Sequence, residues 1–433
     1  MDVVQDHEAV CERLRRQVAD AAASGLRIEL RKDTSNLFRR RDRTTARLLD
    51  ARRLNRVLRI DVDRRLADVE AMLTYEDFVD ATLAEGLLPA VVPQLKTITV
   101  GGAMSGLGIE SSSFRCGLVH ETVQSMDVLL GNGTIVHCSR TENSELFFGF
   151  PNSYGTLGYI LRLSVGLIPA KPFVRVSHIR FDGPAAFFNA VSDSHADYID
   201  GTVFARDEMY TTEARFEDRA PHASDYTFMK IYYRSIRRLQ EDWMTARQYI
   251  WRWDTDWFWC SKHFHLQNTV LRFVARPWLN SRSYQRWMRL AQRYLPDRGE
   301  TESVIQDIQI PFEGAVAFFD FLLTEIAITP VWICPFRTSS EMWPLTALRP
   351  AQRYINFGFW DVVRAQASPG TLNRRIEAKA FELGGTKGLY STSYYDQAAF
   401  WRIYDRGSYE MLKKKADPHT LLPGLFETVT GRA

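Results

Sequence analysis

Residues Thr99 to Gly117, TVGGAMSGLGIESSSFRCG, gather five glycines and four serines behind the apolar run LLPAVVP. Glycine is needed where the backbone takes positive φ or where a ligand presses directly on it. Gly101, Gly102, Gly106 and Gly108 therefore read as a loop. Its consecutive N–H groups, with the hydroxyls of Thr99, Ser105 and Ser111–Ser113, make an anion nest suited to a pyrophosphate. The spacing is not GxGxxG, a Walker lysine is absent, and no long helix is expected to follow.

Side chains able to move a proton are scattered. Glu110 follows the glycines, His120 follows Gly117, Asp307 lies in VIQDIQIPF, and Tyr394 and Tyr395 precede the tail. Each has a plain reading beside the catalytic one: a carboxylate bonding loop amides for Glu110, a satisfied core imidazole for His120, half of a salt bridge for Asp307. Cys334 in WICPF has no neighbouring base and reads as a packed thiol. The five cysteines, Cys11, Cys116, Cys138, Cys260 and Cys334, show no CxxC or metal spacing, which points to free thiols in a reducing compartment and to no metal.

The elements that must position these residues follow from the periodicity. Residues 1–24 form an amphipathic leading helix rather than a signal peptide. LRIELRK and VLRIDVD alternate as strands, YEDFVDATLAEG has helical spacing, and MDVLLGNGTIVHCS is a hairpin turning at Gly131-Asn132-Gly133. LGYILRLSVGLIPA closes this region as a strand. Beyond Lys171 the chain turns aromatic and basic, as in WRWDTDWFW, and then returns to strand–helix alternation. The fold class is α+β, divided as an N-terminal helix (1–24), a first domain (25–172), a second domain (173–410) and a C-terminal segment (411–433) that returns to the first.

The 433 residues are 45% hydrophobic and 25% charged, with a formal net charge of +3, too weak a balance for a nucleic-acid binder. The arginine run RRRDR (Arg39–Arg43) reads either as a solvated face or as a contact for phosphate or anionic lipid. No apolar run approaches the roughly 20 residues that span a bilayer, so a cytoplasmic or peripheral protein is expected. The tryptophans of 251–259 have three readings: core packing, the lining of a lipid channel, or a bilayer interface beside Arg252, Lys262 and Arg272.

The order of motifs adds a resemblance. Pro93 and Thr99–Gly102, the GNG hairpin, TENSELF (Thr141–Phe147), GTLGYI (Gly155–Ile160) and the closing KKKADPHTLLPG resemble the vanillyl-alcohol oxidase/PCMH superfamily, which binds FAD in an extended form. TVGGAMSGLGIESSS, ENSELF, LIPAKPFV, VIQDIQIPF, TPVWICPF and AAFWRIYD resemble, in order, the Δ24-sterol reductase family, from about residue 30 to 430. The resemblance implies a PCMH-type FAD-binding domain followed by an α+β cap over the substrate. It also implies FAD held by Thr99, Val100, Gly101, Gly102, Ser105, Gly106, Gly108, Ile109, Ser111, Ser112 and Gly117, and by Gly155, Gly158 and Ile160. The stretch matching the superfamily's first flavin loop, RKDTSNLFRRR, has no histidine to tether a flavin. Noncovalent FAD is expected, with Thr34, Ser35 and Asn36 hydrogen-bonding it.

Sterol reductases of this kind imply NADPH as donor and hydride delivery to a lipid C=C. Two substrates fit: a 10-methylene fatty acyl chain, made by an upstream lipid methyltransferase, or a sterol Δ24 side chain. The arginine-rich composition suggests a bacterial member and leans toward the acyl chain. Glu110, Asp307 and Tyr394 are the candidate acids. An oxidase of alcohols or lactones and a non-catalytic lipid-binding flavoprotein stay open as alternatives.

Overall fold

The computed structural model describes residues 3–33, 38–39, 45–284, 286, 301–364 and 368–431. Thr34, Ser35 and Asn36, expected at the flavin, lie outside them, as do Arg40–Arg43 of the arginine run. Helix α1 (Val3–Ala23) buries Val10, Leu14, Val18 and Ala21, spaced by three and four residues, in a small core shared with Ile28, Leu49, Leu421 and Leu422. Strands β1 (Ile28–Arg31) and β2 (Arg47–Asp50) pair in parallel beside it.

A first antiparallel sheet is built from β3 (Val57–Asp61), β4 (Leu66–Glu70), β5 (Leu87–Pro89), β6 (Val123–Leu129), β7 (Ile135–Ser139) and β8 (Tyr159–Pro169). Its order is β3-β4-β8-β6-β7, with β5 also on β8. In β8, Leu161, Leu163, Val165 and Leu167 are buried and the residues between them less so, which fixes register. The β6–β7 hairpin turns at GNG with Gly133 at φ 82°, and the side-chain oxygen of Asn132 accepts from the Thr134 amide. Helix α2 (Tyr75–Leu83) starts at Thr74, whose hydroxyl accepts from the Asp77 amide.

The second sheet comprises β9 (Phe173–Phe181), β10 (Tyr198–Ala205), β11 (Glu208–Glu217), β12 (Glu241–Thr245), β13 (Thr301–Pro311), β14 (Val331–Arg337), β15 (Arg353–Arg364) and β16 (Thr386–Lys387). Among the described residues its order is β12-β9-β11-β10-β14-β15-β13-β16. Alternation gives it two characters. Val304, Ile308, Ile333, Phe357 and Phe359 face helices that bring Phe187, Phe318 and Ile376 into one core. Asp307, Trp332 and Trp360 project from the opposite face, toward the first sheet.

Two expectations are corrected. The glycine stretch is not wholly a loop: Val100–Ser105 forms a short helix, α3, capped by Thr99. Its first amides are taken by the turn after β4, Val100 N donating to the Leu73 carbonyl (3.0 Å) and Gly101 N to the Ala71 carbonyl (2.9 Å). A Cβ on Gly101 would lie 2.8 Å from that Ala71 oxygen, so glycine here serves close packing within the chain. The bilayer reading of the tryptophan stretch also fails. Trp251, Trp253 and Trp259 are fully buried, Arg252 and Arg272 are buried in ion pairs with Asp200 and Asp256, and Lys262 pairs with Asp361.

The tail is fastened by the motif that ends it. Lys413, in helix Arg406–Ala416, donates from Nζ to the carbonyls of Thr156 (2.8 Å), Leu422 (2.9 Å) and Pro423 (3.1 Å) and pairs with Asp417. Asp417 in turn accepts from the amides of Leu421 and Leu422. Replacing Lys413 with Met strands these carbonyls and leaves a buried carboxylate unpaired. Lys413→Met is expected to lower stability by about 3 kcal/mol, read as a lower urea midpoint at unchanged slope; an unchanged midpoint would show that the clamp is dispensable.

Candidate functional site

Between the aromatic face of the second sheet and helix α3 lies a cavity of about 960 Å³. Its walls come from distant parts of the chain: β1 and the turn before it, the stretch Thr99–Glu110, the loop Tyr154–Ile160, the second sheet, and the tail from Pro423 to Gly431. That is within the usual size of cofactor sites.

Most of the residues expected to hold a cofactor meet there. Thr99, Gly101, Gly102, Ser105, Gly106, Gly108 and Ile109 line one side, and Gly155, Gly158 and Ile160 another. Of the other described ones, none lines it. Val100 is buried under α3; the Ser111 hydroxyl bonds the Glu110 carboxylate; Ser112 donates to the Ala90 carbonyl (2.7 Å); Gly117 ends the turn Ser113–Cys116 at φ 75°. The expected anion nest is displaced along the chain as well. With the Val100 and Gly101 amides bonded to the turn after β4 and Gly102 N to the Thr99 hydroxyl (3.2 Å), the consecutive amides of Leu107, Gly108 and Ile109 have no partner among the described residues. These three residues face the cavity. Arg39 joins them, its guanidinium 4.6 Å from the centre of the Tyr154 ring. Unpaired amides and a cation at one part of the wall, with indoles at another, fit a group carrying both a diphosphate and a flat apolar ring.

The candidate acids separate. Glu110 is buried at the cavity edge, accepting from Gln94 Nε2 and from the Ser111 amide (2.7 Å). Burial pushes its carboxyl up to about 7, against the pull of Arg252 at 3.9 Å. Asp307 opens directly onto the cavity from β13, accepting at Oδ1 from Asn356 Nδ2 (2.6 Å) and bonding Tyr390. Burial pushes it up to about 6, and its hydrogen bonds oppose that. Trp360 Nε1 donates to the Tyr390 hydroxyl at 2.9 Å, so indole, phenol and carboxyl form one chain of hydrogen bonds. Tyr394 lies outside the cavity, its amide held by Glu377, and Tyr395 donates to the Glu377 carbonyl. His120 is also away from it, packed edge-on against Trp343 with its pKa lowered to about 3 by burial. The Cys334 thiol donates to the Glu110 carbonyl (3.1 Å).

Sequence reasoning missed Tyr390, Trp332, Trp360, Tyr154 and Gly358. One signal was present: a glycine within the apolar strand NFGFW marks a close approach. Gly358 pairs with Asp307 on one side and Trp332 on the other. A Cβ there would sit 2.7 Å from Asp307 Oδ1 and 2.7 Å from the Trp360 ring, so this missing side chain makes the hollow in which the carboxyl stands.

Residues 11–139 match the FAD binding domain family. The human Delta(24)-sterol reductase is 24% identical over 395 residues, covering 86% of this chain and 76% of its own, and that of Arabidopsis thaliana is 26% identical over 420 residues, covering 85% and 73%. Cytokinin dehydrogenase 7 of Oryza sativa subsp. japonica is 35% identical over 137 residues, 30% of this chain and 26% of its own.

No histidine or cysteine occurs among the described lining residues. Acid precipitation of the yellow protein is therefore expected to leave a colourless pellet and a yellow supernatant; colour retained in the pellet would establish a covalent tether. With a cavity fit for the cofactor and a matching domain around it, the chain is an FAD-dependent oxidoreductase with a PCMH-type FAD binding domain, similar along most of its length to the Delta(24)-sterol reductases.

Proposed function

We propose that the protein reduces an isolated, branched carbon–carbon double bond of a lipid, with NADPH supplying the electrons. The observation that carries this reading is the Asp307 carboxyl, shifted toward its protonated form and set among Trp257, Phe258, Trp332 and Trp360 on the cavity wall.

An isolated alkene has no carbonyl to receive electrons, so hydride cannot add to it alone. A proton must arrive first or together with the hydride, and positive charge gathers on the more substituted carbon. FAD, when bound and reduced, supplies the hydride. Asp307 supplies the proton: its O–H bond breaks as one new C–H bond forms, the hydride makes the second, and the π bond is lost. Tyr390 and Asn356 fix the orientation of the carboxyl. The indoles and Phe258, stacked on Trp360 with ring centres 4.2 Å apart, keep water from the electron-poor carbon and offer it polarizable surface. Glu110, at the far end of the glycine stretch, also lines the cavity, as do Glu29 and Glu427.

A trisubstituted sterol side chain and a 10-methylene acyl chain both meet the charge requirement. The sterol relatives favour the first by name; the second would need a lipid methyltransferase upstream to build the branch. In anaerobic stopped flow, NADPH is expected to bleach the flavin absorbance and a methylene-branched acyl lipid or a Δ24 sterol to restore it. Bleaching by an alcohol with no response to NADPH would replace this reading with an oxidase.

Asp307→Asn is expected to slow alkene-dependent restoration by about 10²- to 10⁴-fold, the usual range for a lost general acid, while bleaching by NADPH changes little. Because only the protonated carboxyl donates, the wild-type rate should be full below about 6 and fall as pH rises through that value. A limb centred near 7 that Glu110→Gln abolishes would move the role to Glu110.

A further inference from the structure

The thirty residues from Trp257 to Arg286 hold five lysines or arginines and no aspartate or glutamate. Within them, helix Thr269–Val274 is fixed by its one charged residue. The Arg272 guanidinium is buried, bonded to both Asp256 oxygens at 2.6 and 2.8 Å and to the Phe228 and Leu266 carbonyls. With the arginine turned inward, residues spaced by three and four fall on the outer face. These are Val270, Phe273 and Val274, exposed to 70%, 64% and 65%. Leu271 and Trp278 extend the same surface, giving five exposed large apolar side chains within nine residues. Patches of this kind mark contact sites.

Two further observations say what the contact is. The rim of the patch is basic: Arg276 and Arg286 are exposed, and exposed Arg282 lies 3.5 Å from Glu76. A ladder of rings also runs from the turn before this helix to the cavity. Half-exposed Phe264 packs on Tyr284 (5.2 Å between centres), Tyr284 on Trp257 (5.0 Å) and Trp257 on Phe38 (5.4 Å), and the last two line the cavity. We propose that this face docks on an anionic lipid bilayer. Val270, Phe273, Val274 and Trp278 enter the boundary between headgroups and acyl chains, and Arg276 and Arg286 lie against headgroup phosphates. An apolar face rimmed by exposed Arg276 and Arg286, in a thirty-residue segment with no acidic residue, suits an anionic bilayer. The docking surface stands apart from the alkene chemistry, because vesicle binding is read without turnover.

The test sediments the FAD-loaded protein with phosphatidylcholine vesicles, with and without phosphatidylglycerol. The protein should pellet with the anionic vesicles, less with the neutral ones, and be released by high salt. Val270→Asp with Val274→Asp should lower the bound fraction by about tenfold or more, with flavin absorbance and melting temperature unchanged because both positions face solvent. Wild-type protein that stays in the supernatant with anionic vesicles overturns the proposal. So does a double variant that pellets as wild type does, or a wild-type dimer in light scattering that the double variant splits, which would mean that a second copy covers the face.

Discussion

The guanidinium of Arg252 is withdrawn from water and placed between carboxylates from separate parts of the chain. Asp200 on β10 lies 2.6 Å away, and Glu110, at the end of the glycine stretch, 3.9 Å. Removing a cation from water is unfavourable unless its partners are already in place. This one joins the second sheet to the strand-edge helix that lines the cavity. The Tyr249 ring sits 4.1 Å from it, the Trp332 indole shares the same Asp200 oxygen, and the Ser111 carbonyl accepts the Ile199 amide nearby. Burial in this dry setting raises both the Glu110 and Asp200 carboxyls, and the cation between them opposes the rise. The position of the glycine stretch is thus set from both sides, by Ala71 and Leu73 in the turn after β4 and by this ion cluster.

The cavity follows from that placement. Strand alternation sends one set of side chains from the second sheet into the helix-covered core and leaves the other set facing the glycine stretch across open space. Gly358 keeps the open face hollow where Asp307, Trp332 and Trp360 converge. A carboxyl in such surroundings is nearly dry yet reachable by a substrate, a combination that a fully buried or fully solvated aspartate lacks.

Much of this was legible in the sequence, to different depths. The GNG hairpin and the alternation of β8 are local signals and appear where the spacing puts them. Asp307 could be singled out because its segment is long and specific, but its partner could not. Tyr390 and Tyr394 differ by four residues in one tyrosine-rich stretch, and only the fold decides which faces the cavity. The short helix at Val100–Ser105 was hidden for a related reason. Its caps are carbonyls of Ala71 and Leu73, nearly thirty residues earlier, so the amides that look free in the sequence are already bonded. Arginines in aromatic stretches mislead in the same way, since Arg252 and Arg272 turn inward to buried aspartates while neighbours such as Arg276 stay outside.

The cavity wall draws on residues from Gly25 to Gly431, and Lys413 pins its last section to the carbonyl of Thr156. Until that section docks, the two sheets and the glycine stretch form a trough open along one side, so closing the wall around a cofactor waits on the part of the wall that comes last in sequence. The stretch that completes the enclosure is thus separated from the glycine stretch it faces by some three hundred residues, which ties cofactor retention to the docking of the tail.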